Sequence, residues 1–572
     1  MLGSKSSPPH ALCDSCAVER IETRTISPHD HRSRLLLVMM FIAFAVLILR
    51  AFWVQIVHHD FYTRQGQMRY QNIIELRTAR GRIIDRSGAT LAISLPSYEI
   101  WATPREITTS SYSLLANSLN VPLPILRSRL QDKHWAVLLK RKVDIATAKH
   151  LNELGIKGIE LVPDAKRYYP EGESLAQVVG FTDIDDQGLE GVELSANDLL
   201  TGAAGHRKVI HDRLGRIISD VTPIVPAKPG ATIELTIDRR IQHIAQSALK
   251  IAVDKNHAQG GSAVVLDAQS GETLALANYP SFDPNDRLKL SGTQLRNRAV
   301  VDTFEPGSTI KPIIVALSLD QNKVTPQTPI DTSPGSYHIG TAVIHDTSNH
   351  GVVTVAQALQ KSSNIALAKL ALRLPAQTIW QTYQKYGIGH APRMNFPGIA
   401  SGHLRGYMHW RPIEQASMAY GYGLSVSLLQ LAQIYTAYAS DGTLHAASLV
   451  RNSSSHPPNV RATTPSSAIA IRTMLEMAVN DEGTGRTAQV AGYRVGGKTG
   501  TVRKQVGKNY ALGKYRALFV GMAPITQPRL IVAIMIDEPH GPSYYGGTVA
   551  GPVFASIVAE SLRMLGVAPK QE

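Results

Sequence analysis

Ser308 and Lys311 stand three residues apart in FEPGSTIKP (304–312), where Pro306-Gly307 opens a run, STIKPIIVALSL, that reads as a helix. A serine at a helix N-terminus meets free backbone N–H groups and a dipole that favours developing negative charge. Lys311 falls one turn on, on the same face. A serine hydroxyl is a weak nucleophile and needs a base. A lysine serves as one only when burial or a neighbouring cation lowers its pKa. Pro312 lies in the first turn, where proline is tolerated. A second motif, Ser362-Ser363-Asn364, offers a hydroxyl to relay a proton and an amide to orient a substrate amide or a lysine. A third, Lys498-Thr499-Gly500-Thr501, holds the one K-T-G of the chain, with Gly496-Gly497 before it. Its ammonium and the Thr499 and Thr501 hydroxyls suit a carboxylate. The N–H groups of Ser308 and Thr501 suit an oxyanion. Glycines in a strand let a ligand backbone come close. Together these residues describe a serine acyltransferase with a lysine base, acting on a carboxylate-ended peptide.

The bare patterns are weak alone: at average composition about two chance S-x-x-K matches are expected in a chain of this length. One occurs, Ser247/Lys250 in an amphipathic stretch, and reads as a solvated face. S-x-N recurs at Ser118/Asn120 and Ser195/Asn197, read as loop or cap residues. Ser308 differs by its Pro-Gly entry to a helix start.

The elements that must position these groups become regular from about residue 231. Residues 237–255 carry apolar residues at helical spacing. Five stretches read as strands: the apolar runs 262–268 and 273–279, joined by a Gln269–Glu272 hairpin turn, and then 493–502, 515–523 and 529–537. With helical stretches before and between them, a sheet with helices on both faces is the natural closure, an α/β arrangement. Residues 58–230 are mixed and turn-rich, with a hairpin signal at Asp85-Arg86-Ser87-Gly88. TPIVPAKPGAT (222–232) marks the domain boundary or the last connector before it. The expected domains are a tail (1–34), an anchor (35–57), a non-catalytic module (58–230) and a catalytic domain (231–572).

The chain has 572 residues, enough for two or three domains, and a net charge of +14 that suits anionic lipid or cell-wall polymer. It has no zinc-finger spacing and no dense Lys/Arg block, which argues against nucleic acid. Its two cysteines, Cys13 and Cys16, lack a ligand pair at finger spacing, with His10 and His29 nearby, and read as a tail without metal. Residues 35–57 are apolar but for Arg50 and Gln55, and meet the roughly 20 residues a span requires. No small-residue cleavage site follows, so an uncleaved anchor is expected rather than a signal peptide. Arg32 and Arg34 before it point to a cytoplasmic tail.

S-x-x-K, S-D-N and K-T-G form the signature of β-lactamases and penicillin-binding proteins. All three occur here in that order, with SSN in place of SDN. The chain resembles the class B penicillin-binding proteins. RGRIIDRSGATLA (80–92), RYYP (167–170) and GLEGVELSANDLLTG (188–202) are similar to the three motifs of that family's non-catalytic module. RNRAVVDTFEPGSTIKP (296–312), YGYGLSVSLLQLA (420–432), KTGTVRK (498–504) and YYGGTVAGPVF (544–554) are similar to its division-type subgroup. Elongation-type relatives tend to carry proline where Glu305 stands and lack the Arg503-Lys504 continuation.

The resemblance implies a penicillin-binding transpeptidase fold, with a five-stranded antiparallel sheet, helices on both faces, a β-rich N-terminal module and one transmembrane helix. It implies a D,D-transpeptidase of septal peptidoglycan, with carboxypeptidase side activity, and β-lactams as acylating substrate mimics. Ser308, Lys311, Ser362 and Lys498 would be catalytic, and Asn364, Thr499, Gly500 and Thr501 would bind the stem peptide. No metal or organic cofactor is called for. The expected location is the bacterial inner membrane, single-pass, with the catalytic domain in the periplasm at the septum. A membrane glycosyltransferase and other divisome proteins are the expected partners. Alternatives are an elongation-type transpeptidase, a β-lactamase or penicillin-sensing receptor, and a non-enzymatic scaffold.

Overall fold

The computed structural model describes residues 29–76, 78–131, 136–211, 217–220, 224–288, 290–451, 458–507 and 509–569. Cys13, Cys16, His10 and most of the expected tail lie outside them. The chain divides into two compact units: residues 1–75 with 206–225, and residues 76–205 with 226–572.

In the second unit the apolar stretches of the C-terminal half pair as one antiparallel sheet. Its strands are β1 (Gly260–Asp267), β2 (Thr273–Tyr279), β3 (Gly496–Val506), β4 (Asn509–Ala523) and β5 (Leu530–Asp537), in the order β2-β1-β5-β4-β3. Strand side chains alternate between faces, and β5 shows why its run is apolar throughout. Val532, Ile534 and Ile536 join the core under helices α1 (Arg239–Lys255) and α6 (Gly546–Met564). Ile531, Ala533 and Met535 join the core on the other face, with α2 (Lys311–Asp320), α4 (Leu428–Ala439) and α5 (Pro465–Met477). Helices cover both faces, so neither face tolerates polar residues. The five expected strands are present, but β3 and β4 run past the expected ends, to Val506 and back from Asn509. This outer hairpin carries Arg503-Lys504-Gln505 and is largely exposed. Backbone pairing maintains it, so no apolar pattern announced it.

The hairpin expected near Asp85 pairs Ile83–Ile84 with Thr90–Ala102. Asp85 Oδ1 accepts from the N–H groups of Ser87 and Ala89 at 2.8 Å each, which closes the turn. Its Oδ2 accepts from the Arg239 N–H at 3.2 Å, at the start of α1. The long strand Thr90–Ala102 also pairs antiparallel with Val137–Val143 and Ile159–Tyr168.

The three N-terminal motifs meet at one buried carboxylate. Glu193 is fully buried; Arg80 Nε donates to its Oε2 at 2.6 Å and Arg167 Nε to its Oε1 at 2.7 Å. The other Arg80 nitrogens donate to the carbonyls of Asp186 and Glu193, to Asn197 Oδ1 and to Thr201 Oγ1. Asn197, expected to serve a loop or cap, is therefore a ligand of this buried arginine. Asn120 does cap its helix, in the left-handed conformation at φ 49°.

In the first unit, helix His29–Phe52 continues through a π-helical turn, Trp53–Val57. Residues His31–Val57 form one helix long and apolar enough to cross a membrane. Helix His59–Tyr70 follows, then the strand Gln71–Leu76, which lies in a three-stranded sheet with Gly205–His211 and Ile217–Asp220.

Candidate active site

Pro306 and Gly307 lead into a 3-10 turn, Gly307–Ile310, that runs directly into α2. Ser308 is half-buried in that turn and Lys311, one turn on, is completely buried. Three neighbours fix the turn. Gly307 has φ +54°, and a Cβ there would lie 2.4 Å from Val502 Cγ1 on β3. The Gly307 N–H donates to the Gly421 carbonyl at 3.2 Å, and a Cβ on Gly421 would strike Gly307. The buried Tyr435 hydroxyl donates to the Thr309 carbonyl at 2.8 Å. Residues 420–432 thus lie against the serine turn.

Ser362 occupies the left-handed region at φ +62°, a costly conformation for a non-glycine residue. In that conformation both its carbonyl and its Oγ accept from Lys311 Nζ, the latter at 3.2 Å. Ser363 caps helix α3 (Asn364–Leu372) by accepting from the Ala366 N–H at 3.0 Å. Asn364 Oδ1 accepts from Lys311 Nζ at 2.8 Å, while its Nδ2 donates to the His345 carbonyl at 3.0 Å, which sets the amide orientation.

Lys498 on β3 is also completely buried, with Thr484 Oγ1, Thr499 O and Thr499 Oγ1 each 3.4 Å from its Nζ. Thr499 Oγ1 lies 2.9 Å from Thr484 Oγ1. Thr501 Oγ1 accepts from the Gly546 N–H at 2.9 Å, which leaves its own hydrogen free to donate. The glycines of β3 face protein rather than open space. A Cβ at Gly496 would meet Ile525, one at Gly497 would meet Phe519, and one at Gly500 would lie 2.9 Å from Thr309 Cγ2. The expected close approach is thus made by the serine turn and the core, and Gly500 offers a ligand only its backbone.

Burial, and then the neighbouring Lys498 charge, push the Lys311 pKa well below its ordinary range, against a smaller opposing pull from Asp346. Burial alone lowers Lys498 from 10.5 to about 7. Between those two values the folded state binds fewer protons than the unfolded chain, so Lys498 makes stability fall as pH drops from 10.5 to about 7. Lys498→Met removes that penalty and is expected to stabilise the protein at neutral pH by about 1–4 kcal/mol. Denaturant midpoints of the two proteins should converge at the alkaline end and diverge as pH falls toward 7. A gap that does not change with pH would assign the effect to packing instead.

Several residues at the site had no local signal in the sequence. Asp346 accepts from the Ser363 hydroxyl and from two N–H groups of α3, yet lies in a loop more than 15 positions earlier. Thr484 and Tyr435 likewise arrive from distant segments. Glu305, beside the serine turn, accepts from the Gly423 N–H at 2.8 Å and from the Tyr510 hydroxyl at 2.9 Å. Lys504, where the β3–β4 register shifts, pairs with Asp537 at 2.8 Å and Glu538 at 2.6 Å. The decoy pair Ser247 and Lys250 is exposed on α1, as its spacing suggested.

Comparison with known proteins follows the same division. Residues 261–559 match the penicillin-binding protein transpeptidase domain and residues 75–235 the penicillin-binding protein dimerisation domain. The probable peptidoglycan D,D-transpeptidase PenA of Neisseria meningitidis is 41% identical over 557 residues, 96% of this chain and 95% of the relative. The peptidoglycan D,D-transpeptidase FtsI of Escherichia coli is 37% identical over 550 residues, 94% of this chain and 92% of the relative. The apo transpeptidase domain of Burkholderia pseudomallei penicillin-binding protein 3 is 47% identical with a TM-score of 0.55, covering 59% of this chain and 98% of that one. Three motifs gathered around one buried lysine and similarity across nearly the whole length of both relatives lead to one conclusion: the chain belongs to the class B penicillin-binding proteins, the serine-type peptidoglycan D,D-transpeptidases.

Proposed function

We propose that this protein cross-links stem peptides of septal peptidoglycan through an ester on Ser308. The observation that carries this reading is the environment of Lys311: buried, beside Lys498, with its Nζ among the oxygens of Ser362 and Asn364. Burial and the Lys498 charge make such a lysine give up its proton more readily than a free one, so it can act as a base. Ser308 Oγ attacks the penultimate D-Ala carbonyl and its proton passes to Lys311. The oxyanion is met by the N–H groups of Ser308 and Thr501. The C–N bond then breaks, and the departing D-Ala amine takes a proton through Ser362 and Lys498. An amine from a second stem peptide attacks the ester, loses its proton to the same lysines, and Ser308 leaves with a proton restored. Asn364 holds the substrate amide; Thr499, Thr501 and the Gly500 backbone hold the carboxylate end. β-Lactams acylate Ser308 as mimics of the donor.

Within this reading, residues 35–57 anchor the protein once in the inner membrane, residues 58–230 form a non-catalytic module, and residues 231–572 act in the periplasm. A septal glycosyltransferase and other divisome proteins are its partners. The division role is supported by the similarity to FtsI and by Glu305 and Lys504, which tie the serine turn and β3 to their neighbours.

Full-length protein treated with a labelled penicillin is expected to carry one adduct, on the peptide containing Ser308, that persists over many minutes. An adduct elsewhere would overturn the nucleophile, and release within seconds would point to a β-lactamase. Depletion in the native host should give filaments; rounded cells would move the role to elongation.

A further inference from the structure

We propose that Asp346 is a positioning residue that, from outside the second motif, receives the Ser363 hydroxyl and the first N–H groups of α3, and so holds Ser362 and Asn364 on Lys311. The inference rests on the reading of Ser308 and Lys311 given above. Enzymes with S-D-N at this place carry a carboxylate inside the motif, whereas here the middle residue is Ser363. The Ser363 hydroxyl does not end in solvent: it donates to Asp346 Oδ2 at 2.6 Å. Asp346 Oδ1 accepts from the Asn364 N–H at 2.5 Å and the Ile365 N–H at 3.1 Å. One carboxylate therefore satisfies two of the free donors of α3 and receives the hydroxyl of its cap residue.

The same segment orients the side chain that touches Lys311. His345, next to Asp346 at the end of strand Ala342–His345, receives Asn364 Nδ2 on its carbonyl at 3.0 Å. Asn364 Oδ1 is thereby turned to Lys311 Nζ. The Asp346 N–H is itself bonded to the Gly335 carbonyl at 3.2 Å, so the carboxylate is delivered from a tethered loop. Backbone and side chain of Asn364 are both set by two consecutive residues that no motif contains.

The arrangement also has an electrostatic consequence. Lys311 is faced by Lys498 from β3, by Asp346 from the loop after residue 345, and by the neutral oxygens of Ser362 and Asn364. Asp346 favours the protonated lysine, whereas Lys498 and burial disfavour it. Removing the Asp346 charge therefore leaves Lys311 unprotonated down to lower pH.

The test is the pH dependence of the second-order rate at which a fluorescent penicillin acylates full-length protein in detergent, with the adduct mapped to Ser308. Asp346→Asn is expected to slow acylation about 10- to 100-fold through misplacement of Asn364. It should also move the acid limb of the profile to lower pH, because the carboxylate that favours protonated Lys311 is gone. Adding Ser363→Asp, which returns a carboxylate to the start of α3, should bring both the rate and the acid limb back toward wild type. An acid limb that stays in place in Asp346→Asn would reduce Asp346 to a structural cap and overturn the proposal. So would a double variant no better than the single one. Should Asp346→Asn fail to fold, a double variant that folds and acylates supports the charge transfer, and one that does not fold refutes it. A wild-type adduct away from Ser308 would instead sink the functional reading.

Discussion

Lys311→Met is expected to lower the rate of Ser308 acylation by about 10³-fold, the scale of a lost general base. Methionine nearly matches the volume of the lysine stem, and the site is fully enclosed, so the variant should fold and keep its unfolding midpoint within a few degrees. Losing the ammonium leaves the Ser362 carbonyl and Asn364 Oδ1 without a donor, which opposes the gain from removing a buried cation. The pH profile carries the finer test. Wild type should lose activity as pH falls through the depressed pKa of Lys311, while the residual rate of Lys311→Met should lack that limb. Since the Lys498 charge is the second cause of the depression, Lys498→Met should move the wild-type acid limb upward. Acylation of Lys311→Met within tenfold of wild type would place the base elsewhere.

The second large effect belongs to the buried Arg80–Glu193–Arg167 cluster. Glu193→Ala strands two guanidinium groups that are buried with it, and breaking a buried pair in this way costs about 3–5 kcal/mol. Denaturant unfolding should show the loss, and limited proteolysis should cut first among residues 76–205. Glu193→Gln keeps the shape but only one of the two acceptor oxygens, so it should lose less than the alanine variant without matching wild type. The informative variant replaces all three by apolar residues of similar volume. Because desolvating the charges offsets much of their attraction, that triple variant should recover most of the stability. If it remains as unstable as Glu193→Ala, the bonds of Arg80 to Asp186, Asn197 and Thr201 are the larger contribution.

What could be read before the fold was known follows from the range of each signal. Strands such as β5 are apolar on both faces because helices cover both, so uninterrupted runs gave away their place, whereas β3 carries Lys498, Thr499 and Thr501 within its run. The outer β3–β4 hairpin carries no burial, and hydropathy had nothing to report there. Ser308 was separable from Ser247 because Pro306-Gly307 and a helix start are local. Asn197 was misjudged because its partner, Arg80, lies far back in the chain. The glycines of β3 were read as room for a ligand backbone; Phe519, Ile525 and Thr309 take up the space on their side-chain side, and strand pattern reveals a missing side chain but not what fills its place.

By itself, the amino-acid sequence determined the reagents of this protein: a serine at a helix entry, a lysine one turn on, a K-T-G strand and an apolar segment long enough to span a membrane. Those depend on residue type and on spacings of a few positions, which local geometry converts directly into proximity. Only the tertiary structure decided how the reagents are set. It buries Lys311 and Lys498, turns Ser362 into a left-handed conformation beside Lys311, and brings Tyr435 and Gly421 to the serine turn and Asp346 to the start of α3 from separate segments. Proton affinity depends on burial and on charges that meet through space, and no short stretch of chain contains either.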